Sequence, residues 1–420
     1  MTSMPQTQTT DPAKRTHANG QLGLFLIAMF FVEASRSMTT VQVPVYLREL
    51  GADIRQIGLF FTLSLIFPLL LRVFGGWVSD SIGRLKAMLI GSLAGVLTYV
   101  AFAVSASWEM AVLAPALLAV ATALTIPSYY AYIADHTSDT NRGRVYGLAE
   151  TARTLAWIFS PPIGGMIGQR LGYRWMFAAA ALTAALAGLV FLAVQRATRL
   201  QQTAPQAKAD LASLRSSLGQ MFALAISGGL ITWLLVADGI RDSAMRLSFD
   251  LMPVYLTDIA ALTKQQIGLL DGIFGIAWVA TSYPAGWLVD KTSARLCIVL
   301  GTLIQLASQI VFVLAASFQG FAASWILLGV GGALLEPAFS SLVARGVPKE
   351  VRGIVYGLLA TSLGLLTLPF PWIGGQLWGR LGPRAPFLIT VALGSLAILP
   401  AWRKLVVPPG EGTAEARAEG

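Results

Sequence analysis

The sequence predicts an all-α membrane protein of twelve spanning helices, arranged as two pseudo-symmetric six-helix bundles. Three observations carry that reading. The chain is too apolar for a soluble core: 55% of its 420 residues are hydrophobic and only 12% are charged, against about 25% charged in a soluble domain. The apolar residues fall into runs of roughly 20, the length a helix needs to cross a bilayer. The chain also repeats itself about 210 positions on. Gly76-Trp77-Val78-Ser79-Asp80 returns as Gly286-Trp287-Leu288-Val289-Asp290, and Gln56-Ile57-Gly58-Leu59 as Gln266-Ile267-Gly268-Leu269. Pro44-Val45-Tyr46-Leu47 returns as Pro253-Val254-Tyr255-Leu256 with one residue of slip. A duplicated apolar unit means two similar bundles, between which secondary transporters place a central site.

Taken in order, residues 1–21 form a polar tail, with no apolar core and cleavage site ahead of the first span. Spans are expected at 22–46, 55–79, 86–106, 109–134, 144–169 and 173–195, making an N-terminal bundle over 22–195. Residues 196–220 are the longest internal polar interval and read as a linker, with a short surface helix around Leu211–Leu218. Spans at 221–250, 265–289, 295–316, 320–344, 354–379 and 383–402 make the C-terminal bundle over 221–402, and 403–420 is a second tail. An even number of spans puts both termini on one side. Most loop lysines and arginines lie on that side, among them Arg84, Lys86, Arg142, Arg144, Lys291 and Arg345. The positive-inside rule makes it the cytoplasm. A multi-pass protein of the plasma (inner) membrane follows, lipid being its first partner. The net charge of +9 is spread over these loops, so it points to topology and not to nucleic acid. One cysteine, Cys297, excludes an intrachain disulfide, and two histidines leave no structural metal site.

Gly76-Trp77-Val78-Ser79-Asp80-Ser81-Ile82-Gly83-Arg84-Leu85-Lys86 resembles the signature loop of the major facilitator superfamily, Gly-x-x-x-Asp-x-x-Gly-Arg-x-Lys. A degraded copy runs from Gly286 to Arg295. The resemblance implies the major facilitator fold, normally monomeric, and a cytoplasmic latch built from Gly76, Asp80, Gly83, Arg84, Lys86 and, in the copy, Asp290. It places Asp80 near the start of span eleven, where a helix N-terminus favours a carboxylate, and pairs Arg84 with a neighbouring acid. In span five, Ser160-Pro161-Pro162-Ile163-Gly164-Gly165 resembles the antiporter signature of the drug/proton branch, Gly-Pro-x-x-Gly-Gly, with Ser160 for the first glycine. Its counterpart is Phe370-Pro371-Trp372-Ile373-Gly374-Gly375. Two readings stand for Pro161, Gly164, Gly165, Pro371, Gly374 and Gly375: an antiporter signature, or a packing device that bends the helix and lets span eight approach. Span four lacks the arginine that this branch places there, reading Ala114 to Thr122 without a charge.

Charges remain inside the spans. A lone charge at mid-bilayer costs at least about 2.5–3.5 kcal/mol, so each needs a partner or water. Glu33 and Arg36, and again Glu150 and Arg153, are three apart and share a helix face. Asp238, Asp242, Arg246 and Asp250 step by four along span seven, flanked by Arg241. Asp242 falls opposite Glu33 under the repeat. Asp271 and Glu336 are single acids. These groups imply a wet cavity with proton-coupling or substrate-binding carboxylates, and no cofactor beyond the proton as coupling ion. Tyr129, Tyr130, Trp157, Trp233, Trp278 and Trp372 are candidate cavity aromatics, suited to a bulky organic or lipid-like substrate. The function expected is a secondary transporter working by alternating access and exporting amphipathic organic molecules against protons. A glycolipid or lysolipid flippase, a proton-coupled uptake symporter and a transporter-like sensor are the alternatives. An ATP-driven pump or an enzyme is not expected, because there is no Gly-Lys for a P-loop and no Ser-His-Asp set.

Overall fold

The computed structural model describes residues 12–137, 141–198, 228–347 and 352–405, without the side chains of 12–21, 72–81, 198, 352–354, 357 and 360–363. Every regular element among them is helical. The first half holds α1 Pro12–Thr40, α2 Val43–Glu49, α3 Ile54–Ile82, α4 Arg84–Val104, α5 Trp108–Ala111, α6 Leu113–His136, α7 Arg142–Arg170 and α8 Tyr173–Thr198. The second holds α9 Leu230–Arg246, α10 Met252–Asp258, α11 Lys264–Lys291, α12 Ala294–Leu314, α13 Phe318–Gly346, α14 Arg352–Thr367, α15 Phe370–Leu381, α16 Ala385–Ser395 and α17 Ile398–Lys404. Among the described residues, nine segments are long and apolar enough to cross a membrane. The other three expected spans are helical but fall short for physical reasons. α7 carries Arg142, Arg144, Glu150, Arg153 and Arg170. α9 is 17 residues long, and span eleven is divided into α14 and α15. The linker helix expected around Leu211–Leu218 lies outside the described residues.

Proline decides several boundaries. Spans one and seven were expected to run to residues 46 and 250. The helices stop at Thr40 and Arg246, and short helices restart with Pro44 and Pro253 in their first turns. Proline has no N–H to give and its ring clashes with the preceding turn, so it starts helices and does not continue them. Pro369 and Pro371 divide span eleven the same way. The sequence resembling a signature loop is not a loop: Gly76 to Ile82 completes α3. Gly83 alone separates it from α4, at φ +93°, where a side chain would be strained.

Each half has an aromatic nucleus at the end away from the termini, and the two match under the repeat. Tyr46 meets Phe177 at 4.9 Å and Phe102 stacks on Phe177 at 4.8 Å. Tyr255 meets Phe387 at 5.3 Å and Phe312 meets Phe387 at 4.7 Å. The halves join along two seams, α7 with α11 and α3 with α15, and glycine sets the separation on both. A Cβ on Gly58 would sit 2.5 Å from the Pro371 carbonyl oxygen, and one on Gly268 would overlap that of Pro161. A Cβ on Gly165 would lie 2.5 Å from the Lys264 oxygen, and one on Gly375 2.8 Å from the Ile54 oxygen. Within the halves, Gly164 lies on the Met38 carbonyl and Gly374 on that of Leu247. All three contacts occur once in each half at the repeat spacing. Both copies of the Pro-x-x-Gly-Gly pattern are therefore close-packing devices, and span eight approaches span five as expected.

Candidate functional site

The two halves are tied together at the end remote from the termini. Arg48 Nε donates to Asp258 Oδ2 at 2.9 Å, and Lys264 Nζ meets Glu49 Oε1 at 2.6 Å. The Lys264 ammonium also lies 3.9 Å above the Tyr173 ring. Gln42 Nε2 donates to the Lys264 carbonyl at 2.9 Å, and the Lys264 N–H donates to Gln169 Oε1 at 3.2 Å. Each bond joins one half to the other. Glu49 and Asp258 are repeat mates, so each half's acid is held by the other half's base. At the terminal end the ion pairs among the described residues stay within a half: Arg84 with Asp135 at 3.7 Å, and Asp290 with Arg345 at 3.5 Å. Arg84 thus stands beside a neighbouring acid, and in the copy Arg345, the repeat mate of Asp135, pairs with Asp290, the repeat mate of Asp80. The Asp80 side chain lies outside the described residues, and Lys86 is exposed. Among the described residues, the charged ties between the halves lie at the far end, which closes the space between the halves there.

Inside that space the two Glu-x-x-Arg pairs merge. Arg36 pairs with Glu33 on α1 and Arg153 with Glu150 on α7, the latter at 2.9 Å. Arg153 Nε also stands 3.8 Å from Glu33 Oε2. Ser37 Oγ donates to the Ala156 carbonyl at 3.3 Å and ties α1 to α7 beside them. The cluster is formally neutral. The Arg36 side chain is 40% exposed within span one, which in a bilayer requires water. Facing it from the second half is Asp271 on α11, within electrostatic reach of Arg36. Glu336 on α13 is within reach of Glu150 and Arg153. Neither Asp271 nor Glu336 has an ion pair or side-chain hydrogen bond among the described residues, so, among those residues, this group of charges has two acids in excess of its bases.

Asp271, Phe274 and Trp278 follow at i, i+3 and i+7 on one face of α11. Trp157 of α7 meets Phe274 at 5.2 Å and Trp278 at 5.8 Å, closing a three-ring cluster across the seam. Trp278 fits there because Gly332 on α13 has no side chain; a Cβ would overlap its ring. The other aromatics are placed differently. Tyr129 is buried inside the first bundle, stacked on Phe25 at 5.7 Å and within electrostatic reach of Arg153 and Glu150. Trp233 packs within the second bundle under the Lys404 ammonium, 5.0 Å from its ring. Tyr130 and Trp372 are exposed; the Trp372 N–H donates to Thr62 Oγ1 at 3.0 Å across the α3–α15 seam.

On α9 the pairing differs from the expected stripe. Asp238 pairs with Arg241, which is bonded to it through both Nε and Nη2 and reaches on to Gln305 Oε1 at 3.2 Å. Asp242, the repeat mate of Glu33, and Arg246 make no ion pair among the described residues. The Asp238 and Arg241 side chains are only 13% and 16% exposed, turned into the second bundle between α12 and α13. Sequence reasoning missed Gln305 in this role and the far-end clamps, whose members look like ordinary loop charges. The one available signal was that Glu49 and Asp258 occupy the same position in both copies.

Residues 25–240 and 244–420 match the family model described as Major Facilitator Superfamily. A relative from Lactococcus lactis, described as a multi-drug resistance efflux pump PmrA homolog, is 25% identical over 89% of this chain and 92% of its own. The multidrug resistance protein MdtG of Proteus mirabilis is 23% identical over 90% and 94%. Among solved structures, the peptide transporter POT in complex with sulfate superposes with a TM-score of 0.75 at 15% identity, covering 94% of this chain and 97% of that one. A bacterial homolog of the human lysosomal transporter Spinster, inward-facing and unoccupied, gives 0.74 at 14% identity over 94% and 98%.

Proposed function

The chain belongs to the Major Facilitator Superfamily, and we propose that it is a proton-coupled exporter of amphipathic organic cations. It is a membrane transporter and not an enzyme. The observation that carries the proposal is the excess of acid between the halves: Asp271 and Glu336 face a neutral cluster, beside three aromatic rings. A carboxylate with rings at its side is the chemistry that takes a cation with an apolar body. The two multidrug-named relatives support export of foreign organic molecules.

The mechanism follows from competition. A carboxylate can hold a proton or sit against a cation, not both. A cation entering the space from the terminal side displaces the proton from Asp271, and the proton leaves to water there. With the termini in the cytoplasm, as the loop charges direct, the clamped far end faces outward. Rocking about the glycine seams would break the Arg48–Asp258 and Lys264–Glu49 clamps and expose the site outward, where protons return. Glu33 supplies a second exchangeable carboxylate, standing between Arg36 and Arg153 of its own half. The membrane potential adds about 2.3 kcal/mol per charge per 100 mV to proton entry.

The test uses the full chain in proteoliposomes with an imposed pH gradient and a lumenal pH dye. Ethidium should evoke proton movement, and an anionic amphipath of similar size should not. Asp271→Asn should lower the ethidium response at least tenfold, and Glu33→Gln should abolish it. An unchanged response in Asp271→Asn, or equal responses to cation and anion, defeats the proposal.

A further inference from the structure

Away from the space between the halves, the second bundle contains a buried polar seam. It begins at Asp238 and Arg241, passes to Gln305, and continues along α12 to Ser308 and Gln309. Ser308 Oγ donates to the Gln305 carbonyl at 2.7 Å, and Ser324 Oγ to the Ser308 carbonyl at 2.8 Å. Gln309 Oε1 accepts from Ser248 Oγ at 3.3 Å. Thr390 Oγ1 lies 3.0 Å from Ser248 Oγ and 2.8 Å from the Ala244 carbonyl. Ser248, Ser308, Gln309, Ser324 and Thr390 are all 0% exposed. The space for Gln305 is made by glycine, since a Cβ on Gly331 would come 2.7 Å from its Cγ.

One atom in the seam has no partner. Gln309 Nε2 carries two N–H groups and meets no acceptor. An unsatisfied buried donor costs about 1–3 kcal/mol, and exchanging the amide's two ends would leave the oxygen unpaired in its place. The first bundle solves the same position differently. The repeat mate of Gln309 is Tyr99, a larger and fully packed side chain set against Ser35 and Thr39. The mates of Gln305 and Thr390 are Gly95 and Ala180, both without polar side chains. Gln305 and Thr390 thus add polarity that the first bundle lacks, around an amide that asks for an oxygen atom. Water is the oxygen donor small enough to sit there, and buried waters occupy such polar pockets.

We propose that Gln309 holds internal water that makes Asp238, paired to Arg241, a proton-binding station inside the second bundle, separate from the substrate-facing acids. Its role in coupling rests on the exporter reading above; the hydrated site itself does not. Protonation is a simple transfer: water delivers one proton to an Asp238 oxygen, and Arg241 keeps its charge and its bond to Gln305. The charged groups on the elements packed around the pair are these. Asp242 and Arg246 share α9 with it, and Glu336 and Arg345 lie on α13. Arg295 is the charge on α12, Arg352 is on α14 and Arg380 on α15, Arg403 and Lys404 are those on α17, and α16 has none.

The test uses the full chain in lipid nanodiscs without substrate. Pulsed hydroxyl-radical labelling in ¹⁸O water should oxidise Met245 and Leu306, 8% and 5% exposed and each about one turn from the site, above the level of Met38, 7% exposed in the first bundle. Gln309→Leu should remove that labelling, as should Gln309→Tyr, which imports the first bundle's solution. Labelling no higher than at Met38 overturns the proposal. So does a rise in Tm for Gln309→Leu, the result expected if the amide is dry. In infrared spectra, acidification should raise a carboxylic-acid C=O band that Asp238→Asn lacks, and Gln309→Tyr should slow its appearance at least tenfold after a pH jump. A band that appears at an unchanged rate removes the station. Persistence of labelling and band in a protein with no ethidium-evoked proton movement would keep the station and remove the exporter reading.

Discussion

Replacing Lys264 by Met should shift the protein from the state closed at the far end toward one open there. Two contacts are lost. The Lys264–Glu49 pair has side chains 21% and 50% exposed, so its Coulomb attraction is largely screened and is worth about 0.2–1 kcal/mol. The ammonium 3.9 Å above the Tyr173 ring contributes about 0.5–1 kcal/mol at such a site. The backbone bonds to Gln42 and Gln169 survive, and methionine keeps the length of the stem. The expected shift is therefore about 0.7–2 kcal/mol, or about 3- to 30-fold in the ratio of the two states. Spin-label distances across the far end, between labels on the exposed Ala106 and Ala316, would report the populations. Adding Arg48→Gln should shift them further in the same direction. Raising salt should narrow the difference between wild type and variants, because exposed pairs are screened. Unchanged distance distributions in the double variant would refute the idea that these clamps hold the far end shut.

Gly164→Ala and Gly374→Ala should each destabilise by about 1–3 kcal/mol through overpacking against a backbone carbonyl, whereas Gly147→Ala, with nothing within 4 Å, should be neutral or gain up to about 1 kcal/mol; thermal unfolding in detergent separates them. Asp135→Arg sets two arginines together and should cost under about 1 kcal/mol at this exposed site, with Arg84→Asp restoring a pair of opposite charges there; a double-mutant cycle on Tm reads the coupling. Ala261 sits at φ +53°, so Ala261→Gly should be neutral to stabilising by about 1 kcal/mol, the strain relieved outweighing the added chain entropy.

The repeat made most of the architecture legible. It predicted two bundles, and the matched contacts of Gly164 and Gly374 on Met38 and Leu247 show how literally the halves copy each other. The i, i+3 spacing revealed the Glu33–Arg36 and Glu150–Arg153 pairs, because that geometry is local to a helix. Their merger through Arg153 and Glu33 was not legible, since it depends on how α1 and α7 pack. The repeat pointed to Asp242 as the mate of Glu33. The ion pair formed at Asp238 instead, because Arg241 turns into the bundle toward Gln305, a partner supplied from another helix. The stacking of Tyr129 on Phe25 was not legible either, because aromatic composition does not say which side of a helix faces the core. The boundaries at Thr40 and Arg246 were within reach: Pro44 and Pro253 announce a new helix start, but unbroken hydrophobicity masked the turn before each.

The division of span eleven at Pro369 has no counterpart in α7, which stays helical through Pro161 and Pro162. One wall of the entrance is thus jointed and its opposite number is a single rod. The lower segment of the jointed wall can swing on this knee while the outer clamps remain fastened. On the exporter reading proposed above, such a knee gives the cycle an airlock stage, with cargo sealed from both compartments before either door is released.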